Sequence, residues 1–304
     1  MNNISWHIEA TSKCILECPL CDRTWFYKKF KKRKLHEINV DHLLNFFDGQ
    51  SYHVHFCGNN GDPIYHSEFH ELCQRLKKIN CSIDITTNGS KKSIEWWEKL
   101  GSILTTEDEI KFSIDGLQDT NKLYRINSDW DSIMQGFKII KKYQIKTVWK
   151  FIVFKHNQHQ IAEAEKLSKE LGFDKFKLEK SDRWWDESLM PDNKYVDQQH
   201  NHQKNVTSKK NIDGKMLPKC LKNNIPSNDL YIDSAGDFYP CCWTGLYAFR
   251  YKDMFNPKNK KFNIKDHTVE SILSNDKVKT FFTKIKDYES ASPCCKIYCG
   301  VSNG

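Results

Sequence analysis

The feature that most restricts the fold is an alternation: through residues 1–180, short β-branched or aromatic runs take turns with amphipathic helical stretches. Strands are expected at residues 4–10, 53–57, 82–86, 109–113, 148–153 and 175–178, where apolar side chains cluster in short runs. Helices are expected at 40–47, 69–78, 94–100, 133–142 and 161–171, where apolar residues return at helical spacing. A helical crossover between successive strands makes them parallel, because an antiparallel partner needs only a hairpin. Six βα units are too few to close an eight-stranded barrel, so the expected sheet is curved and open, with a lateral gap for substrate. In such folds the chemistry gathers at the carboxyl ends of the strands, and those loops are where motifs should lie.

At 304 residues the chain is long for one ordinary core. Composition divides it into a barrel domain over 1–180, a bridging segment over 181–219 and a smaller domain over 220–304. The bridge is polar and loses periodicity, as in SDRWWDESLMPDNKY. Beyond it, residues 230–232 and 238–239 flank Asp233-Ser234-Ala235-Gly236-Asp237, a hairpin signal, and one helical pattern runs over 269–285. The opening MNNISWHIEA has no basic region followed by an apolar stretch, and no window approaches the roughly 20 apolar residues that span a bilayer. A cytoplasmic protein with no membrane partner is therefore expected. The net charge of +8 owes much to residues 28–34, six cations in seven positions, which read either as a solvated loop or as a rim that attracts an acidic peptide or a phosphate-bearing ligand.

The twelve cysteines fall into two local groups and three singletons. Cys57, Cys73 and Cys81 lie in apolar periodic segments and are expected to pack as small hydrophobes. Cys14, Cys18 and Cys21 have the spacing C-x3-C-x2-C directly after the first expected strand. Three thiolates on one tight loop can each hold one iron of a 4Fe-4S cube, leaving the fourth iron open to a small molecule. Four would saturate the cluster, as in proteins that only carry electrons. The competing reading, a structural zinc site, needs a fourth protein ligand from elsewhere in the chain.

The segment EATSKCILECPLCDR, from Glu9 to Arg23, resembles the signature of the radical S-adenosylmethionine (SAM) superfamily, with Ile15 where Asn often follows the first cysteine. Cys57-Gly58-Asn59-Asn60-Gly61-Asp62-Pro63 is similar to that family's Gly-Gly-Glu motif followed by Pro. Thr86-Thr87-Asn88-Gly89 and Phe112-Ser113-Ile114-Asp115-Gly116-Leu117 resemble its motifs at the next two strand ends. The resemblance covers residues 4–180 and implies a partial (β/α)6 TIM-like barrel with a SAM-binding 4Fe-4S cluster on Cys14, Cys18 and Cys21. It also implies SAM contacts from Asn60, Gly61, Asp62, Thr87, Asn88, Ser113, Asp115 and Arg125. Carbonyls and the Asp62 carboxylate suit the methionine ammonium, Ser113 would meet the ribose, and the fork of Arg125 suits the methionine carboxylate. Residues 149–154 would wall the adenine.

Cys220, Gly236-x4-Cys241, Cys242, Cys294, Cys295 and Cys299 resemble the Twitch or SPASM extension that follows many radical SAM barrels. This implies a small C-terminal α+β, Twitch-like domain. Six cysteines can ligate one cube fully and not two, so one auxiliary 4Fe-4S cluster is expected on Cys220, Cys241, Cys295 and Cys299, with zinc on the same thiols as the alternative. The implied chemistry is reductive cleavage of SAM, with a flavodoxin or ferredoxin as reductant, to a 5'-deoxyadenosyl radical that takes hydrogen from a substrate. A peptide or protein side chain is the expected substrate, although a barrel beginning at residue 4 leaves no amino-terminal leader-binding module. A nucleoside, a phosphate-bearing metabolite or tRNA is the alternative among enzymes. An electron carrier or a zinc-stabilised binding protein is the alternative outside them, and it leaves the strand-end motifs without a purpose.

Overall fold

A computed structural model of the chain describes residues 4–31, 35–179, 181, 183–192, 214–223, 225–247 and 262–302. Strands β1 (Ser5–Ile8), β2 (His53–Phe56), β3 (Ser82–Thr87), β4 (Glu109–Ser113), β5 (Lys146–Ile152) and β6 (Lys175–Glu179) lie side by side in that order, every neighbouring pair parallel. Period-two alternation sends Trp6, Ile8, Val54, Phe56, Ile83, Ile85, Ile110 and Phe112 into a fully buried apolar layer. Their sequence neighbours on the other face are largely polar, among them His7, His55, Asp84, Thr86, Lys111 and Ser113. The sheet therefore has one face for the core and one for chemistry.

Helix α1 (Asp22–Phe30) follows the loop after β1 and α5 (Asn121–Tyr124) is a single turn after β4; the helices covering the apolar face are α2 (Val40–Phe47), α3 (Phe69–Lys78), α4 (Ile94–Ile103), α6 (Trp130–Lys142) and α7 (Ile161–Leu171). Three of them start where a short polar side chain accepts an amide of the first turn: Asn39 from His42, Ser93 from Trp96 and Asp129 from Ser132. Phe46, Phe47, Leu72, Trp97, Phe137 and Ile140 then pack fully buried against the sheet. Each such side chain contributes about 1.5–3 kcal/mol.

Past the bridge come β7 (Gly214–Met216), β8 (Leu221–Lys222), β9 (Ile225–Pro226), β10 (Leu230–Ile232) and β11 (Phe238–Tyr239), then α8 (Cys242–Tyr247), α9 (Val269–Ser274), α10 (Asp276–Lys284), α11 (Pro293–Cys299) and β12 (Gly300–Ser302). The hairpin β10–β11 forms as its turn residues indicate, and β10 also runs parallel beside β1. One open sheet of eight strands results, ordered β11-β10-β1-β2-β3-β4-β5-β6. No local signal announces this pairing, since its partners stand more than 200 positions apart, as in Trp6 and Leu230. Two other expectations are corrected. Residues 28–34, read as loop or rim, include the end of α1, which closes at Lys31 in a left-handed conformation, while 32–34 lie outside the described residues. The single helix over 269–285 breaks at Asn275, whose extended backbone ends α9 and whose side chain accepts the Lys277 amide to start α10.

Candidate active site

The loop carrying Cys14, Cys18 and Cys21 leaves β1 and feeds directly into α1. Protein groups brace it on several sides. The Arg23 guanidinium donates to the Leu16 carbonyl, and the amide of Glu17 donates to Ile126 at 3.1 Å. Leu16, Cys18 and Leu20 pack with Tyr124, Phe154 and Trp184 in a separate apolar cluster. Trp184 comes from the segment expected to be a polar linker, and its neighbour Arg183 pairs with Asp22 at 3.1 Å, so this part of the bridge closes over the loop. The cue was present in the two adjacent tryptophans of an otherwise polar stretch.

Burial pushes the Cys14 and Cys18 thiols up to about 12, with Asp62 reinforcing the effect at Cys14. Loading iron there therefore releases protons. The donor set fits a cube held at three corners: three thiols on one tight loop, all facing one cavity.

That cavity, of about 350 Å³, brings the three cysteines together with Asn60, Gly61, Asp62, Thr87, Asn88, Ser113 and Arg125. It also contains Lys150 and Ile152 of β5. Lys150 stands in register with Ser113, so the strand expected only to wall adenine also presents a cation.

Two of the residues expected to contact the ligand also organise protein groups. Asp62 accepts Thr87 Oγ1 at 2.8 Å and the Ile64 amide at 3.3 Å on one oxygen, and the Asn88 amide at 2.6 Å and Asn88 Nδ2 at 2.5 Å on the other. Its short side chain is buried, and burial raises its carboxyl despite these donors. Asp115 is fully buried and does not line the cavity. It accepts Arg125 Nε at 2.6 Å on one oxygen and the Ile152 amide at 2.7 Å on the other. Asp115 thus fixes the guanidinium that does line the cavity, a role the linear sequence does not separate from direct contact.

Sequence reasoning passed over Glu9. It is 1% exposed, and its Oε1 accepts the amides of Asn60 at 2.6 Å and Gly61 at 3.0 Å. The loop lies so close to the chain leaving β1 that a Cβ on Gly61 would stand 1.8 Å from the Thr11 carbonyl oxygen, which only glycine permits.

In the carboxyl-terminal part, Cys220, Cys241, Cys295 and Cys299 converge from three separate segments and line one enclosed apolar pocket, to which Cys294 also belongs. Burial raises the Cys220 thiol, and Cys241, Cys295 and Cys299 raise it further. Cys242 does not line that pocket, and the buried His7 ring lies 2.9 Å from the Cys57 carbonyl. Cys73 and Cys81 are core residues as expected, but Cys57 is half-buried on the wall of the cavity and is engaged by His7, so it is not a simple hydrophobe. The end of β2 faces the polar side of the sheet at that position, which apolar neighbours in the sequence conceal.

Comparison with known proteins agrees with this geometry. Residues 8–167 match the radical SAM superfamily, and residues 220–300 match SPASM, an iron-sulfur cluster-binding domain. The pre-heme d1 synthase of Dinoroseobacter shibae is 26% identical over 121 residues, 40% of this chain and 30% of that protein. The chain spans less than half the length of the curated relatives it matches. Among solved structures, native anSMEcpe with bound AdoMet is 18% identical, covers 93% of this chain and 84% of that one, and superposes with a TM-score of 0.59. Streptococcus suis SuiB bound to precursor peptide SuiA is 16% identical, covers 97% of this chain and 70% of that one, with a TM-score of 0.62. The three-cysteine loop, the strand-end loops around one cavity and a match over more than half of its residues place this chain in the radical SAM superfamily, as an enzyme with a carboxyl-terminal iron-sulfur domain.

Proposed function

We propose that this radical SAM enzyme acts on a peptide or protein side chain. The observation that carries the reading is a second, larger cleft of about 850 Å³ that shares Arg23 and Asn60 with the cofactor cavity. The hairpin loop 233–237, Glu37, His42 and Asp266 form its polar walls. An extended polypeptide is recognised through main-chain hydrogen bonds to such walls, while one side chain reaches inward. Two proteins that share this fold were captured with peptides, SuiB with SuiA and anSMEcpe with the Cp18Cys peptide.

In this reading Cys14, Cys18 and Cys21 hold the SAM-binding 4Fe-4S cluster. With SAM bound, such a cluster would supply the electron for reductive cleavage of the sulfonium and so the radical chemistry that takes hydrogen from a substrate. Arg125, aimed by Asp115, neutralises the methionine carboxylate. Carbonyls of the loop 58–62 meet the ammonium, the Asp62–Thr87–Asn88 network holds that loop in shape, and Ser113 meets the ribose. Tyr124, Phe154 and Trp184 keep water from the cluster loop. Cys220, Cys241, Cys295 and Cys299 would hold one auxiliary cluster, which would supply a site for substrate or for an electron from it, with a flavodoxin or ferredoxin as reductant.

The test is anaerobic: dithionite and SAM are added to iron-reconstituted protein, and 5'-deoxyadenosine is measured with peptide pools or with nucleoside phosphates present. Peptides should raise its yield above the uncoupled level, and replacing Cys14, Cys18 and Cys21 by Ala should abolish it. A second reading, a phosphate-bearing substrate, is favoured by exposed Lys28 and Lys29 on α1 and Lys31 just past its end. Stimulation by nucleoside phosphates that weakens steeply with salt would select it.

A further inference from the structure

The loop 58–62 is tied to the auxiliary domain at two places. Asn59 Nδ2 donates to the Cys242 carbonyl at 3.1 Å. Independently, Tyr231 on β10 donates its hydroxyl to Glu9 Oε2 at 2.7 Å, and the other oxygen of the same carboxylate holds the Asn60 and Gly61 amides. Trans peptides point each carbonyl opposite the following N–H. By gripping two successive amides, Glu9 therefore turns the Asn59 and Asn60 carbonyls away from itself, and both residues line the cofactor cavity. Tyr231 is in turn fixed from the cluster side. Its ring lies so close beneath α8 that a Cβ on Gly245 would stand 2.5 Å from it, and the Gly245 amide bonds to the Cys241 carbonyl at 3.1 Å.

We infer that Glu9 and Tyr231 are positioning residues that couple the auxiliary-cluster segment to the SAM-binding loop, so that the state of Cys241 and its helix sets the affinity for SAM. The inference rests on the reading that loop 58–62 contacts SAM. A displacement of α8 moves Tyr231, Tyr231 moves the Glu9 carboxylate, and the carboxylate rotates the two peptide planes that face the cofactor. The interaction is reciprocal: SAM binding must favour the auxiliary segment's ordered arrangement by the same factor.

Tyr231→Phe keeps the ring against Gly245 and removes only the hydroxyl. The first readout needs no cofactor: hydrogen–deuterium exchange of the peptide spanning 58–62, with thermal unfolding as the folding control. Exchange there should quicken severalfold while peptides from α4 and α6 stay unchanged. The second readout is the SAM dissociation constant of reconstituted protein, followed through the cluster's electron paramagnetic resonance signal, which should rise about fivefold or more. Glu9→Gln, which retains shape but can no longer accept from both sides, should act in the same direction, giving an independent route if Tyr231→Phe folds poorly. The coupling itself is read from a cycle with Cys299→Ala: loss of the auxiliary cluster should weaken SAM binding in the wild-type background and add little in Tyr231→Phe. Unchanged exchange and affinity in both variants, or full additivity in the cycle, would overturn the inference. If wild-type protein shows no SAM-dependent change in its signal, the site assignment fails instead, and the exchange experiment still judges the tie between Tyr231, Glu9 and the loop.

Discussion

Replacing Asp115 by Asn tests the internal logic of the cofactor cavity. Asp115 has no exposed surface, and its carboxylate joins Arg125 Nε at 2.6 Å to the Ile152 amide at 2.7 Å. An Asn could still accept from Ile152, but its amide nitrogen would then face Arg125 Nε, donor against donor. The guanidinium, itself buried to 15% side-chain exposure, would lose its counter-charge. Removing one partner of a buried ion pair costs about 3–5 kcal/mol, because the remaining charge is left uncompensated. At about 2–4 °C per kcal/mol, the variant should melt roughly 10 °C below wild type. Urea and thermal unfolding of the two proteins, prepared in the same cluster state, measure this directly. If Arg125 faces the methionine carboxylate, SAM restores the missing negative charge, so saturating SAM should raise the midpoint of Asp115→Asn more than that of wild type. A loss below about 1 kcal/mol would show that the pair is weakly coupled to the fold. An equal SAM increment in the two proteins would place the carboxylate elsewhere.

Three further outcomes are expected. Cys299→Ala should lower iron and sulfide by about one cluster's worth with the SAM-dependent signal retained, and unchanged iron content would remove the auxiliary-cluster assignment. Burial pushes Asp233 up to about 7, so its contribution to stability is fully present below about pH 4 and is lost as pH rises through 7. Asp233→Asn cannot ionise and should gain on wild type by about 2 kcal/mol between pH 4 and 8, half the full value because the side chain is only half-buried; a urea midpoint difference that stays flat or shrinks with pH would contradict this. Trp184→Ala should leave the barrel folded but hasten the bleaching of cluster absorbance in air, since Trp184 packs with Phe154, Leu16 and Cys18 over the loop; equal bleaching rates would remove its shielding role.

Much of the barrel was legible because its signals are local. Helices α2, α3 and α7 and strand β4 fall at the expected residues, since amphipathic periodicity and polar flanks coincide there. The missed elements are those whose stability comes from elsewhere. Helix α1 has almost no apolar stripe: its buried residues are Asp22, Arg23 and Thr24, held by the cluster loop and by Arg183. The pairing of β10 with β1 depends on tertiary contact between the two ends of the chain. The site shows the same division. Thiol spacing and strand-end motifs identified which loops converge, because those residue types carry the chemistry. Whether a carboxylate touches a ligand or a protein amide is decided by a few ångströms of backbone placement, which residue identity alone does not encode.

That distinction gives the Asp at position 62 a physical meaning. A longer Glu could project beyond the donors around it, but Asp62 ends where Thr87, Ile64 and Asn88 supply four hydrogen bonds. Asp115 is occupied by Arg125 and Ile152, and Glu9 by two loop amides and Tyr231. These three carboxylates therefore fix protein groups, while Arg125 and the loop 58–62 line the cavity. On the proposed reading, a zwitterionic methionine end would find there a fork-shaped cation for its carboxylate and neutral acceptors for its ammonium. Because the loop amides and the cation are held by buried carboxylates rather than by solvent, the proposed binding of SAM would need little reorganisation of these groups.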